Sequence, residues 1–203
     1  MGEKEISCRN LFLLAVFLVL NGCSTPANRS AVINAMFKDL SDVQKFEHAI
    51  RIVLANEGGL SVDPHDAGGT TKFGISQASY PHLDIKNLTI DQAKNIYMRD
   101  FWQTQPYKDI NDFDIAAKIF DLSVNIGAKW ANRLLQRALK ATGVTVNEDG
   151  ILDAKDITAI NQADPTDLLA ALKSEAAGYY RMLVTIHPKD CVFLKGWMKR
   201  GYG

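Results

Sequence analysis

The chain has 203 residues, 47% hydrophobic and 23% charged, values of a folded globular protein that exclude a disordered, collagenous or coiled-coil chain. Lys plus Arg and Asp plus Glu each number 23, so the formal charge is zero and the basic excess that nucleic-acid binding needs is missing. Three cysteines, Cys8, Cys23 and Cys191, make no disulfide framework and match no zinc module.

Residues 11–20 read LFLLAVFLVL, with Lys4 and Arg9 upstream. A bilayer-spanning helix needs about 20 apolar residues, so this shorter run reads as the core of a signal peptide. It ends in Leu20-Asn21-Gly22-Cys23, which resembles the bacterial lipobox. That resemblance implies removal of residues 1–22 and lipidation of Cys23, leaving 23–40 as a lipidated N-terminus and polar tether. Ser24, by the sorting logic of Gram-negative bacteria, points to a periplasmic lipoprotein anchored in the outer membrane. Cys191, among Val192, Phe193 and Leu194, reads as a core residue and not a nucleophile.

Ser41-Asp42-Val43-Gln44 has the form of a capping box and starts a helix with Val43, Phe46, Ile50, Val53 and Leu54 inward. Gly58 and Gly59 stop it, and from there to Gly74 five glycines interrupt any helical period, so the segment reads as a loop or small hairpin. Thr89 and Gln92 form a second capping box, leading a helix with Ile90, Ala93 and Tyr97 inward. Ile115, Ile119, Leu122 and Ile126 mark a third helix; Ala131, Leu134, Leu135 and Ala138 mark a fourth, started after Gly127. Residues 143–153 form a break with Asp149-Gly150 as its turn. Asp164-Pro165 is an N-cap and N1 pair for a long helix with Leu168, Leu169, Leu172, Ala176, Tyr179, Leu183 and Ile186 inward. Pro188 ends it, and an amphipathic tail carries Phe193, Leu194 and Trp197. The fold class is mainly α, with one small irregular or β element after the first helix.

Glu57 lies four residues after Val53 and seven after Ile50, on the apolar face of its helix. Desolvation and the negative end of the helix dipole both favour a protonated carboxyl there, the form a general acid needs. The two glycines that follow leave open backbone where a ligand can approach. Position alone fits equally an exposed terminal residue or a structural hydrogen-bond acceptor.

The block around it tips the balance. Glu57, Gly58, Gly59, Asp63, Pro64, Asp66, Gly68, Gly69, Thr71, Lys72, Phe73, Gly74 and Ile75 resemble the signature of glycoside hydrolase family 108, with Leu60 where that pattern has an aromatic and Ala67 where it has proline. Tyr97, Phe101-Trp102, Asp121, Asn125 and Gly127 continue the likeness. Leu135-Gln136, Asp149-Gly150 and the Phe193–Arg200 run resemble the peptidoglycan-associated region that follows the catalytic part in this family. The resemblance implies a lysozyme-like, bilobal helical fold, with a catalytic region at 41–126 and a peptidoglycan-binding region at 127–203. It also implies an N-acetylmuramidase that cuts the β-1,4 bond between N-acetylmuramic acid and N-acetylglucosamine.

Glu57 then takes the place of the family's catalytic acid. Asp66 is the first choice for the second group, with Thr71 beside it by analogy with phage lysozymes; Asp63 competes, or shapes the turn before Pro64. Asp121 and Asn125, one helical turn apart, line the sugar cleft or form a satisfied polar pair within the helical lobe. Tyr97 and Trp102 stack on pyranose rings or belong to the core.

His48, His65, His82 and His187 fall in no metal-ligand spacing, so no metal or cofactor is expected. Residues 145–156 carry acids at calcium-loop offsets without the first acid or the closing glutamate, and read as a turn. The partners expected are peptidoglycan glycan strands, a membrane reached through the lipid, and secretion machinery, with no nucleic acid. Two rivals stand beside the muramidase: a non-catalytic wall-binding lipoprotein, and a lytic transglycosylase, whose product is an anhydro sugar.

Overall fold

The computed structural model describes residues 42–57, 60–62 and 69–203; the signal segment, Cys23, the tether, Asp63 and Asp66 lie outside them. Helix α1 (Asp42–Glu57) is followed by strands β1 (Leu60–Val62), β2 (Thr70–Lys72) and β3 (Ile75–Ser76). Helix α2 (Ile90–Tyr97) runs into a π-helical turn at Met98–Trp102, and a 3-10 turn at Pro106–Asp109 leads to α3 (Phe113–Ile126). Then come α4 (Ala128–Ala141), α5 (Ala154–Gln162), α6 (Pro165–Ile186), a 3-10 turn at Pro188–Phe193 and α7 (Leu194–Tyr202). No described helix is long and apolar enough to cross a membrane.

Helix α3 is the hub. Every residue from Ile115 to Ser123 is buried, so it has no solvent face in that stretch, and α1, α4 and α6 all pack against it. Gly127 turns the chain from α3 into α4; its φ of 82° is left-handed, open to glycine and strained for other residues. One continuous core joins Phe46 and Ile50 of α1 to Phe120 of α3, Leu135 of α4 and Leu172 of α6.

The sheet is an antiparallel meander in the order β1-β2-β3, with Ser61 opposite Thr71 and Thr71 opposite Ser76. Lys72 pairs with Ile75, which leaves a two-residue loop, Phe73-Gly74. Both loop residues have positive φ, 53° and 75°, as a type I′ hairpin turn requires.

Two helix starts follow the caps read from the sequence, while Ser41, read as the first cap, lies outside the described residues. Thr89 and Gln92 make a reciprocal capping box, and Asp164 caps α6 with Pro165 in its first turn. Helix α5 is an addition the apolar spacing does not announce. It begins on Asp153, with Asp156 closing the box, while Asp149 accepts from Gln136 Nε2 and Ile151 N within the turn before it. Val43, Ile90 and Ile186, expected inward, are exposed near helix ends, where the supporting neighbours run out. Cys191 is also exposed, correcting its reading as core. It sits in the Pro188–Phe193 turn, and the tail docks instead through Leu194 and Trp197, the latter stacked on Tyr180 at 5.6 Å.

Candidate active site

Glu57 is the last residue of α1, and its side chain is 19% exposed. The face that buries Phe46, Ile50 and Val53 delivers it one turn later to the junction of α1, α3, α7 and the β2–β3 hairpin. The neighbour to which the sequence reading gives no site role is Arg200 of α7, 143 positions away: its Nη2 donates to Glu57 Oε1 at 2.5 Å. Arg200 Nε lies 3.3 Å from Asp121 Oδ2, an ion-pair contact whose angle makes no hydrogen bond. One guanidinium therefore bridges two carboxylates from two helices.

Asp121 is 1% exposed and lies behind this bridge. Its Oδ1 accepts from Asn56 Nδ2 at 3.0 Å. Burial pushes its carboxyl up from the usual aspartate range, against the pull of Arg200 and the Asn56 hydrogen bond. Asn125, one turn on, accepts the Tyr180 hydroxyl at 2.7 Å, tying α3 to α6.

The hairpin meets Glu57 from the other side. A Cβ built on Gly74 would stand 2.8 Å from Glu57 Oε2 and 2.9 Å from its Cγ, so only the missing side chain lets the acid lie there. The Tyr97 hydroxyl donates to the Phe73 carbonyl at 2.8 Å, holding the left-handed turn in place. Burial first, and then the nearby Glu57 charge, push the Tyr97 phenol up.

Tyr97 and Trp102 are each 1% exposed. Trp102 packs edge-on against Phe120 at 5.2 Å and Phe46 at 5.8 Å, and donates to Asp42 Oδ1 at 2.7 Å. Buried rings have no face to offer a pyranose, so the structure places both in the core, where Tyr97 acts through its hydroxyl. Thr71 is half-buried at the centre of β2, while Asp63 and Asp66 lie outside the described residues. Of the residues singled out from sequence, the structure brings Glu57, Asp121 and Tyr97 around one point. It adds Asn56, Arg200 and Gly74.

Lys118, also on α3, donates to the carbonyls of Arg200 and Gly203 and so caps the end of α7. Burial pulls its ammonium down to about 8. A cavity of about 310 Å³, lined in part by Asn56, Lys118, Asp121, Lys173, Lys199 and Arg200, opens behind the guanidinium. Among the described residues no His, Cys, Asp and Glu cluster is arranged to hold a metal ion.

Residues 50–127 match the family described as glycosyl hydrolase 108, and residues 130–202 match the one described as predicted peptidoglycan domain. A solved structure of Brucella abortus SagA is similar over 77% of this chain and 88% of that one, with 25% identity and a TM-score of 0.64. No curated protein matches.

Proposed function

Residues 50–127 place the chain in glycosyl hydrolase family 108, with a predicted peptidoglycan domain at 130–202 and a mainly α, lysozyme-like fold, and from this membership we propose that it is a peptidoglycan N-acetylmuramidase. The bond cut is the β-1,4 link between N-acetylmuramic acid and N-acetylglucosamine. Glu57 is the general acid. The observation that carries this is its carboxylate, mostly withdrawn from water at the end of α1 and held between Arg200 and the tight Phe73-Gly74 turn.

The acid protonates the glycosidic oxygen as the C1–O bond breaks and positive charge develops on the sugar ring. Water then adds at C1, its proton going to a second carboxylate, which we assign to Asp66, with Thr71 orienting the water and Asp63 as the competing base. In an enzyme of the retaining kind, the second carboxylate attacks C1 first and water follows. In either case the leaving sugar takes the proton of Glu57, and the product ends in a reducing N-acetylmuramic acid.

The cellular role follows from the tether. A lipid on Cys23 confines cutting to wall within reach of the outer membrane, which suits local remodelling or opening of the wall for protein export, better than wholesale lysis. The decisive experiment is digestion of purified peptidoglycan by residues 31–203, beside Glu57→Gln, with mass spectrometry of the products. Reducing muropeptides that vanish in Glu57→Gln are expected. Anhydro ends would make it a transglycosylase, and a folded protein that sediments with the wall but releases nothing would leave a binding lipoprotein.

A further inference from the structure

We infer that Arg200, carried by the last helix of the peptidoglycan-domain region, is a positioning residue for Glu57, so that the catalytic site is complete only when α7 is docked. The inference rests on the reading of Glu57 as the acid.

A glutamate at a helix terminus followed by two glycines has no cap to hold its side chain, and fixing a flexible chain of this kind costs rotamer entropy. Two contacts hold it here. Arg200 takes Oε1, and the Gly74 backbone and Tyr97 hydroxyl close on the Oε2 side. An arginine keeps its charge at any working pH and donates only. With Oε1 accepting from it, the transferable proton resides on Oε2, the oxygen beside the hairpin. Arg200 thus selects the donor oxygen, and its charge stabilises the carboxylate left once the proton has gone.

Arg200 is itself fixed by the fold. Its side chain is 10% exposed, with Asp121 at its Nε and Asn56 steadying Asp121. Lys118 holds the Arg200 carbonyl from α3, and next in sequence Gly201 packs against the Ala177 backbone of α6, where an added Cβ would sit at 3.4 Å. The helix that bears the guanidinium is therefore seated on both α3 and α6. Among the described residues, the charged and titratable groups that interact with Glu57 are Arg200 from α7, Asp121 from α3, Tyr97 from α2 and Tyr180 from α6, with Lys118 beside Asp121 and Arg200. Of these described groups, Arg200 is in direct ionic contact.

The test follows two readouts in the full chain. In the first, kcat and KM on peptidoglycan fragments are compared for wild type, Arg200→Ala, Arg200→Lys and Glu57→Gln. Arg200→Ala is expected to lose at least about tenfold in kcat with KM little changed. Arg200→Lys keeps the charge without the fork, so part of the rate is lost. The second readout is the carboxyl ¹³C chemical shift of Glu57 at one fixed pH, which moves from its wild-type position in Arg200→Ala as the contact is lost and moves less in Arg200→Lys. Wild-type kcat and an unmoved ¹³C shift in a folded Arg200→Ala overturn the inference. Should that variant not fold, a wild-type rate in Arg200→Lys overturns it instead. If Glu57→Gln is as active as wild type, the reading of the acid fails, and the ¹³C shift still decides whether Arg200 holds that carboxyl.

Discussion

At the scale of single residues the site depends on two backbone positions that carry no catalytic group. Phe73 is a non-glycine residue at positive φ, a conformation that costs about 1 kcal/mol or more and persists where surroundings enforce it. Here the Tyr97 hydroxyl enforces it through the Phe73 carbonyl, and the Lys72 ammonium lies 5.5 Å over the ring. Gly74 then passes the Glu57 carboxylate with no room for a methyl group. Gly74→Ala is expected to lower stability by about 2–4 kcal/mol, from the left-handed strain together with overpacking against Glu57 and Tyr97. It should also cut muropeptide release at least about tenfold, since the acid must move to make space and small misplacements of a reacting group are costly. Gly178 of α6 is the control: nothing lies within 4 Å of its added Cβ, and Gly178→Ala should stabilise the helix by about 0.5–1 kcal/mol with activity unchanged. Urea melts of both variants and a turnover assay decide. Equal effects at the two glycines would show that the close approach at Gly74 does not matter.

At the scale of elements the key joint is α3 to α7, and Lys118 makes it titratable. In the unfolded chain this lysine holds its proton to near 10.5; in the fold, burial pulls it down to about 8. Below pH 8 both states carry the charge and the burial penalty is in full force. Between about 8 and 10.5 the unfolded state binds more protons, so the contribution of Lys118 to stability rises with pH and is complete above that window. The stability of wild type relative to Lys118→Met should therefore rise from pH 7 to pH 10, while parallel pH curves from denaturant melts would refute the assignment. This joint also shows where sequence reading stops. Caps are local, so Thr89-Gln92 and Asp164-Pro165 announce their helices, and the spacing of Phe46, Ile50 and Val53 places Glu57 on the inward face. The pairing of Glu57 with Arg200 spans 143 residues and leaves no periodic trace. Trp102 and Tyr97 look like sugar platforms for the same reason: an aromatic in a motif carries no mark of whether its ring faces water or Phe120.

At the scale of the whole molecule two family regions meet between residues 127 and 130, yet the physical boundary is not there. Helix α3 belongs to the first region and is covered by α4 and α6 of the second, and one core runs through all three. The polar contacts cross as well. Tyr107 donates to Asn132 Oδ1 at 3.0 Å, Asn111 N to Asn161 Oδ1 at 2.7 Å, and Arg200 reaches back to Glu57. Separate domains would each keep a core and meet through a modest, polar interface. Here the cut would strip the buried face of α3, so neither half retains a closed core. Unfolding is therefore expected to be a single cooperative transition. The tryptophans allow a direct check, since Trp102 lies in the first region while Trp130 and Trp197 lie in the second. Variants that keep only Trp102, or only Trp197, with phenylalanine at the other two positions, should show fluorescence midpoints in urea that coincide with each other and with loss of helical circular dichroism. If the Trp197 signal were lost at lower urea, α7 would undock before the rest unfolds. Glu57 would then lose Arg200 in a partly folded state, and activity should fall along the Trp197 curve while that of Trp102 remains native.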